Sequence, residues 1–236
     1  MIPGLPLYIS TVFGLTIVLT LYLFIKATHF SKKAVIVMFI WAGVQVLLSL
    51  NGFYKVIHTV PPRFVLLIIP PILLIILLFN TQKGRLFIDS LDIKLLTIIH
   101  TIRIIVEFVL LWLFTYKTIP VELTFEGRNF DIISGITAPI IYYLGFIKQT
   151  LSKNLIIIWN VVCIGFLLNV VINSILSSPL LFQKFEFDQP NIAVLHFPFV
   201  FLPSLIVPII LFSHFVVIRR LIINKRKGME YHLETS

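Results

Sequence analysis

Apolar runs long enough to cross a bilayer recur along almost the whole chain, and no other feature restricts its fold as strongly. They lie at about 6–26, 34–54, 64–80, 94–116, 131–149, 154–177 and 193–218. Each has the roughly 17–26 residues that a tilted helix needs to cross about 30 Å of hydrocarbon. Only 12% of the residues are charged, against the roughly 25% of a soluble domain, while 58% are hydrophobic. The fold class expected is therefore all-α: an integral membrane protein of seven transmembrane helices forming one domain over residues 1–236, its segment 219–236 a basic cytoplasmic tail. The lipid bilayer is its first partner, in a plasma or inner membrane.

Lysine and arginine set the orientation. Lys26, Lys32, Lys33, Lys83, Arg85, Lys94, Lys148, Lys153, Arg219, Arg220, Lys225, Arg226 and Lys227 fall on one side; Lys55, Arg63, Lys117, Arg128 and Lys184 fall on the other. The bias places the N-terminus outside and the C-terminus in the cytoplasm. It also accounts for the net charge of +9 without nucleic acid as a partner. The first residues carry no basic region and no small-residue cleavage site, so the first helix is expected to remain. Pro70 and Pro71 in the third run, and Pro203 and Pro208 in the seventh, are expected to kink their helices, neighbours satisfying the freed carbonyls. A 3+1+3 internal repeat is also read. Gly14 to Tyr22 resembles Gly135 to Tyr143, Trp41 and Asn51 share the spacing of Trp159 and Asn169, and the run from Pro70 resembles the run from Pro203.

The fourth run carries the chemistry. His100, Arg103 and Glu107 fall on one side of a helix, where an ionisable group facing lipid costs at least about 2.5–3.5 kcal/mol. That face should point into the protein. Arg103 and Glu107, at i and i+4, are expected to pair. A packing ion pair beside a core histidine would explain them; so would a substrate or proton site. In the second reading Glu107 is the protonatable carboxylate, Arg103 its counter-charge or an anion anchor, and His100 a proton partner on the cytoplasmic side.

Two further groups could complete a site. Glu126, Arg128 and Asp131 before the fifth run, with Asp188 and Gln189 before the seventh, could form an outer-mouth polar cluster that attracts a cation. The plainer account is helix capping by Asn129 or Asp131 and by Asp188 with Pro190. Gln45, Tyr142, Asn169, Asn173 and His214 could line the pocket, although neutral polar residues in lipid often hold helices together. Asn160 points away from Asn169, and His214 could neighbour His100.

The single cysteine, Cys163, excludes an intrachain disulfide and any multi-cysteine metal site. No lysine lies in the seventh run, which argues against a retinal Schiff base, and the Pro-Gln signatures of SWEET-type sugar transporters are missing. Hydrolase, zinc-protease and nucleotide-binding motifs are absent too. No cofactor and no metal are expected. The function expected is transporter-like, for a small solute or ion and proton-coupled. The alternatives are a membrane enzyme with Glu107 and His100 as acid and base on a lipid-like substrate, and a sensor or assembly subunit. Oligomers are compatible with all three.

Overall fold

The computed structural model describes residues 2–57, 59–180 and 183–234, with side chains up to Ile223. The chain is 74% helical, with no strand among the described residues. Its helices are α1 (Leu7–Ala27), α2 (Lys32–Leu50), α3 (Val65–Asn80), α4 (Gln82–Ser90), α5 (Ile93–Thr115), α6 (Asp131–Ile147), α7 (Lys153–Ser177) and α8 (Leu202–Ile223), whose backbone continues helical to Glu234. Five of these, α1, α2, α5, α7 and α8, are long and apolar enough to cross a membrane. A sixth span is available if α3 and α4, bent by 94°, are taken as one.

Helix starts follow local chemistry. The Asp92 carboxylate accepts from Lys94 N at 2.8 Å to open α5, and Ser152 Oγ accepts from Leu155 N at 3.3 Å to open α7. Both satisfy amides that have no partner inside the helix. The sharpest turn does not come from a proline: Pro70 and Pro71 lie inside an uninterrupted α3. The bend follows at Thr81, whose extended backbone ends α3 and whose Oγ1 accepts from Gly84 N at 3.2 Å. Gly84 then packs so tightly on the end of α3 that a Cβ would lie 2.3 Å from the Leu78 carbonyl oxygen. Only glycine fits there.

The seventh run starts later than its hydropathy suggests. Residues Ala193–Leu195 form a single 3-10 turn, His196 is extended, and α8 begins at Leu202. Pro198 disfavours helical backbone in the residue before it. Asp188 and Pro190 are therefore too far from α8 to cap it. Pro203 falls in the first turn of α8, where its missing N–H costs nothing.

Pro208 does leave a gap. It has no N–H for the carbonyl of Ser204, four residues earlier, and the Trp41 indole of α2 fills it, donating to that oxygen at 2.8 Å. The first turn of α8, Leu202–Ile206, is wound as π-helix, and so is Tyr142–Ile147, just after Pro139 in α6.

Helices α5 and α8 form the centre: 56% of the apolar window of each is buried, against 11% for α2. Around them, large apolar side chains such as Leu15, Ile40, Leu47 and Ile158 are exposed. The basic end of α8 is tied back to α4, with Arg219 Nε and Nη2 each 3.2 Å from an Asp89 carboxylate oxygen and Arg220 donating to the Leu91 carbonyl at 3.3 Å. The rest of the expected basic tail, beyond Ile223, lies outside the described side chains.

The indole bond has a measurable consequence. Cys163 is buried, so a thiol-reactive dye reports heat unfolding of the purified protein. Trp41→Phe should lower stability by about 1–3 kcal/mol, the cost of a buried carbonyl left unpaired. In a Pro208→Ala background, where residue 208 regains an N–H, the same change should cost clearly less. Equal losses in both backgrounds would separate the indole from the proline gap.

Candidate functional site

On α5, His100, Arg103 and Glu107 are all buried, at 0%, 3% and 1% exposure, and they face the interior of the bundle. Their partners differ from the expected ones. Arg103 does not take Glu107; its fork reaches across to α6, where Nε donates to Asp131 Oδ2 at 2.7 Å and Nη2 to Asp131 Oδ1. A carboxylate opposite the planar guanidinium allows two parallel charge-assisted bonds, which a carboxylate one turn along the same helix presents less readily. Close approach of the two helices at this level depends on Gly135. A Cβ there would lie 2.8 Å from Ile104 Cγ1 and 3.0 Å from Ile104 N.

The third branch of Arg103, Nη1, lies 3.3 Å from His214 Nε2 on α8. His214 Nδ1 is 2.7 Å from Asn160 Oδ1 on α7, and Asn160 Nδ2 donates to the Ile156 carbonyl at 2.8 Å. Asn160 therefore presents its oxygen to the ring. Nδ1 carries the proton, and Nε2 accepts from Arg103. His100 stacks on His214 with ring centroids 3.8 Å apart and planes 16° apart, and the Trp159 ring lies 5.7 Å from His100. Neither ring nitrogen of His100 has a hydrogen-bond partner.

Glu107 is held differently. Its Oε1 accepts from Asn129 Nδ2 at 2.6 Å, while its buried Oε2 has no partner. Asn129 also donates to the Leu123 carbonyl at 3.0 Å, and its Oδ1 accepts from Asp131 N at 2.9 Å. Asn129 thus links the Glu107 carboxyl to the start of α6, immediately beside the Arg103–Asp131 pair.

A cavity of about 160 Å³ opens beside this network. Its walls are apolar and come from α1, α3, α5, α7, α8 and the 191–199 segment; Arg103, Glu107, Asp131, Ser174 and Asn191 are its polar lining.

None of the five residues expected to line the pocket does so. Gln45 accepts from the Tyr54 hydroxyl at 2.6 Å, away from the cavity. Asn169 and Asn173 bond to each other at 3.2 Å, and Asn169 donates to the Arg128 carbonyl at 2.6 Å, stitching α7 to the loop before α6. Tyr142 is half-buried in the π-helical end of α6. His214 meets Arg103 from α8 without reaching the cavity wall. Asn160, on the opposite face of α7 from Asn169, supplies the contact instead.

The expected outer-mouth cluster also divides. Asp131 is 6% exposed and belongs to the buried pair. Gln189 donates to the Ile119 carbonyl at 2.6 Å, and Glu126, Arg128 and Asp188 are exposed. Among the described residues no group of three or more acidic, histidine or cysteine side chains is placed to hold a metal ion. Nearby, desolvation raises the Glu186 carboxyl above its ordinary value, helped by the Glu122 carboxyl, which repels it and shares a hydrogen bond, and by Asp188. Relative to the unfolded chain the fold therefore binds this proton more tightly, a contribution that is lost as pH rises.

Two measurements test the geometry. Asp131→Ala should destabilise the protein by about 3–5 kcal/mol, because it strands a buried guanidinium; Arg103→Met combined with Asp131→Leu should recover much of that loss. Full additivity of the single changes would mean that the pair is not the coupled unit. Gly135→Val should cost about 1–3 kcal/mol through overpacking against α5, whereas Gly165→Ala, with nothing within 4 Å of the new methyl, should be neutral or better. Indifference to Gly135→Val would mean that the helices do not approach this closely.

No curated protein and no solved structure matches the chain. One family does, over residues 60–222, a range that holds α3 to α7, α8 up to residue 222 and every residue of the Arg103 network. The chain therefore belongs to the family described as Domain of unknown function (DUF8737).

Proposed function

We propose that the chain is a multi-pass protein of a cell membrane that moves a small solute or ion in a proton-coupled cycle, Glu107 being the group that titrates. In this reading α1, α2, α3, α5, α6, α7 and α8 each cross the bilayer, with the N-terminus outside. Helix α4, set at 94° to α3 and bearing Lys83 and Arg85, lies along the cytoplasmic surface, and the short α6 crosses with little tilt. The α1–α3 and α6–α8 groups then form the 3+1+3 repeat around α5, which packs on α1, α6 and α8.

One observation carries the reading: a buried carboxyl that lines a cavity and has one oxygen without a partner, joined through Asn129, Asp131 and Arg103 to His214. Arg103 and Asp131 cancel each other. Glu107 is the remaining carboxyl of the network, so its protonation decides whether this part of the interior is neutral or carries one negative charge. In this reading Arg103 serves as the counter-charge of Asp131 and not as an anion anchor, since Nε, Nη1 and Nη2 each already have a partner in the protein. The enzyme reading loses its acid–base pair: His100 does not line the cavity, and seven residues of helix separate it from Glu107 by about 10 Å. A purely structural role fits the Arg103–Asp131 pair but leaves the free Glu107 oxygen without a purpose.

Purified protein in liposomes loaded with a pH-sensitive dye supplies the test. A potassium diffusion potential should drive proton entry that falls at least tenfold in Glu107→Gln, while the unfolding midpoint shifts by only a few degrees, because the amide oxygen still accepts from Asn129. Loss of the fold in Glu107→Gln, or undiminished flux, would defeat the reading.

A further inference from the structure

The polar lining of the cavity restricts what it can hold. Its two unpartnered atoms, Glu107 Oε2 and Asn191 Oδ1, are both acceptors. Asn191 Nδ2 is committed to Ser174, 2.8 Å from its Oγ and 3.3 Å from its carbonyl oxygen, which fixes the amide orientation. Nε, Nη1 and Nη2 of Arg103 each already have a partner in the protein. The donors left in the lining are the Ser174 hydroxyl and the second N–H of Arg103 Nη1 and Nη2, whereas its unmet charge is the Glu107 carboxylate, since the neighbouring guanidinium is paired with Asp131. An isolated anion among apolar walls is too costly to persist, so Glu107 must be either protonated or paired with a cation.

The remaining walls are hydrocarbon, and so is the rim. Ile68 and Ile72 on α3, and Leu168 and Val171 on α7, line the cavity and are partly or fully exposed, Leu168 at 45%. The rim between α3 and α7 belongs to the belt of exposed apolar side chains that faces lipid in the proposed arrangement. A ligand can therefore arrive from the bilayer without passing a polar mouth. In volume the cavity is comparable to an apolar site of about 150 Å³ that holds a benzene ring, so a ring or a short alkyl chain fills it.

We propose that the cavity binds a membrane-dissolved amine, an alkyl- or arylalkylammonium, whose N–H groups donate to Glu107 and Asn191 and whose charge takes the place of the Glu107 proton. The proposal rests on Glu107 as the titrating group of the function proposed above and adds the class of solute. Bound amine and bound proton are alternatives at one carboxyl. The groups facing Glu107 are Arg103 and His100 on its own helix, Asp131 on α6 and His214 on α8. The first and third cancel, His214 is held by Asn160 and Arg103, and His100, stacked on His214, does not line the cavity, so Glu107 is the group left at its wall to exchange a proton for a cation.

The test uses the full chain in nanodiscs of zwitterionic lipid at pH 8, with n-octylamine as probe and octanol, octanoate and octyltrimethylammonium as comparisons. Calorimetry in two buffers of different ionisation enthalpy counts the protons released. Octylamine should bind saturably with release of about one proton and at least tenfold more tightly than octanol or octanoate. Octyltrimethylammonium, which keeps the charge but has no N–H, should fall between. Glu107→Gln should weaken octylamine at least tenfold and leave octanol unchanged. Leu168→Trp, an exposed position at the rim, should slow or weaken octylamine in a protein of normal thermal stability.

Octanol or octanoate binding as tightly as octylamine would overturn the proposal, and so would octylamine binding that ignores both substitutions. The two readings separate cleanly. Octylamine binding with proton release, but without Glu107-dependent flux in liposomes, would leave an amine-binding protein that is not a transporter. Glu107-dependent flux without octylamine binding would retain the transporter and refute the amine.

Discussion

The bidentate pair between Arg103 and Asp131 organises the interior. A guanidinium and a carboxylate buried away from water must satisfy each other, and they do so only if α6 lies close against α5. Gly135 permits that approach by having no side chain where the Ile104 backbone passes. Once Asp131 faces Arg103, Asn129 two residues earlier is carried to Glu107, and the third branch of Arg103 points at His214. The histidine pair, Asn160 and Trp159 on α7, and the unpaired state of Glu107 Oε2 all follow from this one placement.

The bundle meets a second requirement through its prolines. In a hydrocarbon setting every backbone carbonyl needs a donor, and proline inside a helix removes one. At Pro208 the missing donor comes from the Trp41 indole, which makes the otherwise little-buried α2 a partner of α8. Near Pro139 and Pro208 the chain also winds as π-helix. Such turns recur at functional sites, and the one that opens α8 borders the cavity, where Leu202, Pro203 and Ile206 are part of the wall.

The cavity combines features that are costly together: apolar walls, a lateral rim of exposed apolar residues, and a carboxyl with one free oxygen. Buried carboxylates in purely structural roles are paired or fully hydrogen-bonded, as Asp131 is. Glu107 is half-satisfied while it lines the cavity, and that is the observation on which the proposed exchange rests.

The sequence by itself determined that the chain is helical, that several helices are long and apolar enough to cross a bilayer, and that one face of the fourth run turns inward. Each follows from local quantities: run length, hydropathy, and the price of exposing His100, Arg103 and Glu107. Partner choice was not legible, because i and i+4 spacing describes one helix, whereas Arg103 chose a carboxylate 28 residues away on the next. Two asparagines show the same limit. Asn129 reads as a cap and Asn160 as pointing away from the polar face of α7, yet both join the network, since the face of a helix that counts is set by its neighbours. The late start of α8 and the turn at Gly84 were hidden because hydropathy does not record backbone direction. Tertiary structure alone decided which acceptors were left free at the cavity wall, since that depends on which donors every surrounding helix had already committed.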